Sequence, residues 1–324
     1  MKFNSTKFVL ANTMMIGVIM TICSNNWMSM WMGLEVSLIS FIPFMQNNSM
    51  AYAESMIKYF IIQSVASTMF LFSVVILLVG ASMMNEMIMT IAMLIKIGSA
   101  PFHKWVLMII ENLSFYTVFI LLTIIKIPPL MVLYQTNTNF LNFPIMLSMI
   151  ISSMMSLNQN SIRKILGYSS IFNIATMLIL INKFNTLLTF LVIYSFPLIM
   201  VISMTKTLKI NFINQMPLNE FNSLIKVNLW INMLSMSGFP PLMGFLGKII
   251  SIQALMENLS YLTLTIFLLS SILVMMFYMR MIFTMMIFVS MTKKWNFNKT
   301  KFNYENISLN ILLTTMIISV SFIS

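Results

Sequence analysis

Residues 238–248 read "GFPPLMGFLGK", three glycines, two prolines and one lysine inside a long apolar tract. Proline removes a helical hydrogen bond and clashes with the preceding turn. A lysine at mid-membrane costs about 2.5–3.5 kcal/mol on insertion scales. Within lipid, such a break is tolerated only where protein or water satisfies the freed carbonyls. A second tract, "LIKIGSAPFHKW" (94–105), has the same ingredients. The pair predicts two interrupted membrane helices, each opened to water beside a lysine.

The rest of the chain supports a membrane setting. Of 324 residues, 59% are hydrophobic and 8% charged, with no aspartate. Mean hydropathy is +0.94. A soluble domain of this size needs far more surface charge, so the fold class is an all-α polytopic membrane protein. The 38 methionines reflect codon usage in an AT-rich genome. A soft-metal pathway is the alternative, and their scatter through every apolar segment speaks against it. The lone cysteine, Cys23, makes no internal disulfide and holds no iron–sulfur cluster, which takes four thiolates. The lone histidine, His103, excludes a bis-histidine haem. No Gly-rich loop follows a strand-like segment, so nucleotide binding has no support. The expectation is a chain without a redox centre or cofactor of its own. The N-terminus, "MKFNSTKFVLAN", has no transit-peptide composition and runs straight into the first apolar segment.

Eleven spans are expected, at about 8–24, 27–45, 56–80, 87–110, 113–134, 141–158, 165–182, 186–208, 224–256, 259–289 and 307–323. Thirteen Lys/Arg residues then share the side of the N-terminus: Lys2, Lys7, Lys58, Lys104, Arg163, Lys164, Lys206, Lys209, Lys226, Lys293, Lys294, Lys299 and Lys301. The other side holds only Lys183. By the positive-inside rule the N-terminus faces the compartment of synthesis and the C-terminus faces away. Most of those thirteen charges are orientation and headgroup residues rather than a nucleic-acid surface.

Four cations and one acid remain. Arg280 lies nearer a span end and is expected to snorkel. Lys96, Lys126, Lys248 and Glu35 lie deep, and unpaired they would cost roughly 10–14 kcal/mol together. A set that costly points to function. The breaks fall in spans four and nine, five apart. Spans 1–5 (about 8–134) and 6–10 (about 141–289) then form inverted five-helix repeats within a single transmembrane domain over 1–324, followed by the span at 307–323. Two unrelated proline kinks are the alternative, since no residue-level repeat is visible. His103 is a further candidate for proton shuttling; the alternative is an interfacial residue beside Lys104.

Five stretches in order, "WMGLEVSLISFIP" (31–43), "IKYFIIQSVAS" (57–67), "KIGSAPFHKW" (96–105), "LNQNSIRKILGYSSI" (157–171) and "GFPPLMGFLGK", resemble the subunit 2 family of animal mitochondrial NADH dehydrogenase. These are antiporter-like membrane subunits of respiratory complex I. The resemblance implies a multi-pass protein of the mitochondrial inner membrane, encoded in the organelle, with a matrix N-terminus and a C-terminus in the intermembrane space. It accounts for the methionines, because animal mitochondria read AUA as Met. It implies eleven spans, three N-terminal helices fewer than in bacterial relatives. It places FMN, iron–sulfur clusters, NADH and ubiquinone on other subunits. The implied partners are other complex I membrane and accessory subunits and phospholipids including cardiolipin, with no nucleic acid.

The family's proton path carries over at Glu35, Lys96, Lys126 and Lys248. The implied mechanism is a Glu35–Lys96 ion pair, worth roughly 4 kcal/mol at 4 Å and an effective dielectric near 20. Its separation releases a proton to a row in which Lys126 relays through water and Lys248 exchanges with the far compartment. A cation/proton antiporter subunit and a non-pumping structural subunit are the rival functions. The chain departs from the family at Leu107 and Met108, where a Pro-Glu pair is usual, and at Ile124-Ile125, where Trp-Gln is usual. The next acid, Glu111, is expected to be a surface charge.

Overall fold

The computed structural model describes residues 5–47, 49–80, 82–136, 139–218, 223–240 and 242–287. The expected span at 307–323 lies outside these residues. Among them every regular element is helical, and the only strand-like pairing is an isolated bridge between Ser161 and Phe212. Seven helical segments among the described residues are long and apolar enough to cross a membrane: Ser5–Cys23, Trp27–Phe44, Met50–Val79, Phe115–Thr136, Ile162–Asn182, Phe184–Thr207 and Tyr261–Thr284. Asn142–Ser156 is a shorter apolar helix. The two tracts rich in Gly and Pro do not yield single long helices, because each is split into two pieces.

The chain divides into two compact units, 1–148 with 170–184, and 149–169 with 185–324. In the first, α1 (Ser5–Cys23) and α2 (Trp27–Phe44) form a close antiparallel pair. A Cβ placed on Gly17 would stand 2.9 Å from the Gly33 carbonyl oxygen, and one on Gly33 would stand 2.6 Å from Thr21 Cγ2. Small residues let the backbones approach this closely, as in other membrane helix pairs. The contact fixes α2 two residues before Glu35. Next come α3 (Met50–Val79), α4 (Ser82–Ile97), α5 (Lys104–Asn112), α6 (Phe115–Leu122) and α7 (Ile127–Thr136). Helix α8 (Asn142–Ser156) and α9 (Ile162–Ile179) each contribute to both units.

The second unit continues with α10 (Phe184–Thr207), α11 (Gln215–Leu218), α12 (Ser223–Ser237), α13 (Met243–Glu257) and α14 (Tyr261–Ile287). Hydroxyl side chains inside the spans donate back to their own helices, as Ser37 does to the Leu34 carbonyl and Ser251 to that of Lys248. Such back-bonding satisfies a polar group without a partner helix.

Candidate functional site: two helix breaks and their buried charges

Helix α4 ends at Gly98, whose φ of +77° closes the helix in the left-handed region. The Gly98 and Ser99 N–H groups both donate to the Leu94 carbonyl, at 2.9 and 3.2 Å. Glycine serves this ending because it has no Cβ to clash. Two further carbonyls of the last turn take side-chain donors. Trp105 Nε1 of α5 donates to the Ile95 carbonyl at 3.1 Å, and Gln63 Nε2 of α3 donates to the Lys96 carbonyl at 3.2 Å. The break is therefore capped from both sides by protein.

These caps were missed by sequence reasoning. Their signal was the spacing of Tyr59, Gln63 and Ser67 along one buried face of an apolar helix. Gln63→Leu leaves the buried Lys96 carbonyl without its donor, at a cost of about 1–3 kcal/mol. Trp105→Phe keeps the ring and removes only the N–H. Both variants are expected to speed amide exchange at Gly98 and Ser99. Unchanged protection in both would show that the caps do not hold the break.

Lys96 itself is buried, at 5% exposure. Glu35, half-buried on α2, acts electrostatically on the Lys96 ammonium and on the Tyr59 phenol. The two charges are not joined at hydrogen-bond or ion-pair distance, and Glu35 Oε1 is buried without a hydrogen-bond partner. The direct pair at 4 Å is thus corrected to an open pair. Nearby, Tyr59 packs edge-on to Phe41 of α2 at 5.2 Å between ring centroids and lies 6.0 Å from Trp105.

The fifth expected span is irregular too. Between α6 and α7 lies a 3₁₀ turn, Ile124–Lys126. The helical donors for the Ile125 carbonyl would be the N–H groups of residues 128 and 129, and both are prolines. Lys126 is 4% exposed, and its Nζ has no hydrogen-bond partner. The turn thus holds a buried ammonium one residue after a carbonyl whose helical donors are replaced by prolines.

In the second unit, α12 ends as α4 does. Gly238 has φ +70°, its N–H donates to the Ser235 carbonyl at 3.1 Å, and the Phe239 N–H reaches back to the Leu234 carbonyl at 3.2 Å. Lys248 is half-buried rather than enclosed, with its stem lying against Gly238. A Cβ there would meet Lys248 Cε in hard contact, with Cδ at 2.9 Å and Nζ at 3.1 Å. Gly80 supplies the control, since its φ is +93° and nothing lies within 4 Å of a Cβ built on it. Alanine at either position strains the backbone by about 1–2 kcal/mol. Only Gly238→Ala also displaces Lys248, and it is expected to cut proton pumping about tenfold while Gly80→Ala retains it. Equal pumping by the two variants would detach Lys248 from the break.

His103 is 8% exposed, and its Nδ1 has no hydrogen-bond partner. The Arg280 guanidinium donates to the Leu157 and Gln159 carbonyls in the loop after α8, acceptors that lipid would leave unmet. Leu107 is buried, Met108 is exposed, and Glu111 lies exposed near the end of α5. Among the described residues no group of three His, Cys, Asp or Glu side chains is placed to hold a metal ion.

Residues 24–274 match the NADH:quinone oxidoreductase/Mrp antiporter transmembrane family. The NADH-ubiquinone oxidoreductase chain 2 of Anopheles gambiae is 35% identical over 311 residues, covering 92% of this chain and 91% of that protein. The chain 2 of Locusta migratoria is 34% identical over 321 residues, covering 95% and 93%. The fold is also that of a chain in respiratory complex I from Thermus thermophilus with bound aureothin, at TM-score 0.82 and 18% identity over 98% of this chain and 79% of that one. A chain of the Mrp complex from Dietzia sp. DQ12-45-1b gives TM-score 0.72 at 16% identity, over 84% and 59%. With a family match over most of its length and relatives above 30% identity across nearly all of it, the chain belongs to the NADH:quinone oxidoreductase/Mrp antiporter transmembrane family, alongside the NADH-ubiquinone oxidoreductase chain 2 proteins.

Proposed function

We propose that this chain is a proton-translocating core membrane subunit of NADH:ubiquinone oxidoreductase in the mitochondrial inner membrane. The observation that carries this reading is the buried Lys96, held at a capped helix break with Glu35 as its electrostatic neighbour. Such a pair changes charge state when its surroundings shift, and it does so without bond chemistry. FMN, iron–sulfur clusters, NADH and ubiquinone belong on partner subunits, whose redox energy drives the change. Glu35, Lys96 and Lys126 serve the path in the first unit, with His103 as a further shuttle candidate. Lys248 serves it in the second. The matching Gly98 and Gly238 endings support two inverted five-helix repeats within eleven spans, with the N-terminus in the matrix and the C-terminus in the intermembrane space.

The test is purification from inner membranes. The chain is expected within a large NADH-oxidising assembly, with its C-terminus open to protease in intact mitochondria stripped of the outer membrane. Recovery outside any such assembly would overturn the subunit reading, and a C-terminus reached only from the matrix would overturn the span count. The fold shared with the Mrp complex chain favours one second reading, a cation/proton antiporter subunit. Sodium-dependent proton exchange in vesicles, without NADH, would favour it.

A further inference from the structure

We infer that Trp31 is a positioning residue for Glu35, and that the indole N–H and the carboxylate hold one water between them. Both residues stand on α2, four positions apart and so one turn apart on one flank. Both are half-buried, yet Trp31 Nε1 and Glu35 Oε1 are themselves enclosed, and neither has a hydrogen-bond partner. Buried polar atoms are almost always partnered, by protein or by ordered water. An indole N–H can only donate and an ionised carboxylate can only accept, so the two unmet atoms are complementary. They are not bonded to each other directly. One water completes both at once.

The surroundings narrow the choice of partner. Helix side chains lean towards the N-terminus, so the Glu35 carboxylate lies back over the turn that carries Trp31. The rest of that stripe is Met28, Leu38 and Ile42, none of which offers a donor or acceptor of comparable strength. The seam with α1 is made by Gly33 and Ser37, each two positions and about 200° from Glu35, so α1 faces the other side of α2. Lys96 feels the Glu35 charge without a hydrogen bond to Oε1. A water between the two residues accepts from the indole and donates to the carboxylate, with one lone pair still free. When Glu35 takes a proton it takes the shared hydrogen, and that lone pair receives a proton from the next water of the row. When Glu35 gives the proton up, the order reverses. Trp31 transfers no proton itself; it fixes the water from which Glu35 is served.

This inference rests on Glu35 serving the proton path, and the water is read without pumping, so the two fail separately. A high-resolution cryo-EM map of the assembled complex is expected to show one water within about 3.2 Å of both Trp31 Nε1 and a Glu35 carboxylate oxygen. Trp31→Phe keeps an aromatic ring and removes the N–H. It is expected to lose that water and to lower NADH-driven proton uptake per assembled complex about tenfold, the rate equivalent of one hydrogen bond to a charged group, with KM for NADH unchanged. On the Glu35→Gln background it is expected to cost nothing more, because both act through one interaction. Trp27→Phe makes the same chemical change one turn earlier and is expected to alter neither readout. A map with Trp31 and Glu35 in direct contact, or with an apolar group between them, would overturn the proposal, and the parent map decides this even where Trp31→Phe fails to assemble. Full proton uptake by Trp31→Phe, a further loss on the Glu35→Gln background, or an equal loss in Trp27→Phe would overturn it as well. Full uptake by Glu35→Gln, with the water present in the parent map, would instead overturn the proton-path reading.

Discussion

Glu35→Gln is expected to leave the assembled complex with its redox centres and to remove most NADH-driven proton pumping. Glutamine keeps the size and hydrogen-bonding capacity of the side chain and deletes its charge. In the structure that charge acts on Lys96 and Tyr59 without touching the lysine. Beyond 4 Å, at an effective dielectric near 20, the attraction is below about 4 kcal/mol. An open pair of this kind is sensitive to small movements, because neither partner is locked in a contact. Buried ammonium and carboxylate groups hold their charges only with help from each other or from water. Without the carboxylate, Lys96 no longer responds to events at Glu35. Lys96→Met should reproduce the defect, and the double variant should be little worse than either single one, since both delete one interaction. Proton uptake by reconstituted vesicles, normalised to assembled complex, measures it. Full pumping by Glu35→Gln with normal assembly would sink the open-pair mechanism and favour a structural subunit.

The helix breaks were legible because glycine and proline act locally. Gly98 and Gly238 end their helices through their own φ values and through hydrogen bonds within five residues. Lys96 and Lys126 were legible because a cation in an apolar run needs no tertiary knowledge to stand out. The caps were not legible. Gln63 lies 33 residues before the carbonyl it satisfies, and Trp105 ten residues after its own. The acceptors of Arg280 were not legible for the same reason, since they lie more than 120 residues away in sequence. Burial of a charge can be read from a sequence, whereas the partner of a charge depends on which helices meet. The open Glu35–Lys96 pair shows this, for its separation depends on how α2 packs against the break, which neither residue's own neighbours in sequence determine.

Lys126 gives the sharpest separation between stability and function. Its ammonium is buried, its Nζ has no hydrogen-bond partner, and it occupies a 3₁₀ turn instead of a regular helix. A buried cation without a partner destabilises the fold that contains it, so its presence calls for another reason. Lys126→Met replaces it with an apolar chain of similar length. Heat resistance of the assembled complex should rise, by up to about 3 kcal/mol at this site, the insertion cost of a mid-membrane lysine. Proton pumping should fall at least about tenfold, because methionine cannot carry a proton. Lys126→Arg separates charge from titration. The guanidinium stays protonated, so arginine keeps the charge and gains no stability, yet pumping should fall as far as with methionine. A scaffold role predicts the opposite ordering, with arginine tolerated and methionine harmful. Pumping that survives in either variant would remove Lys126 from the proton path. A methionine variant less heat-resistant than the parent would mean that ordered water already satisfies the ammonium, and would reverse the stability half of the prediction.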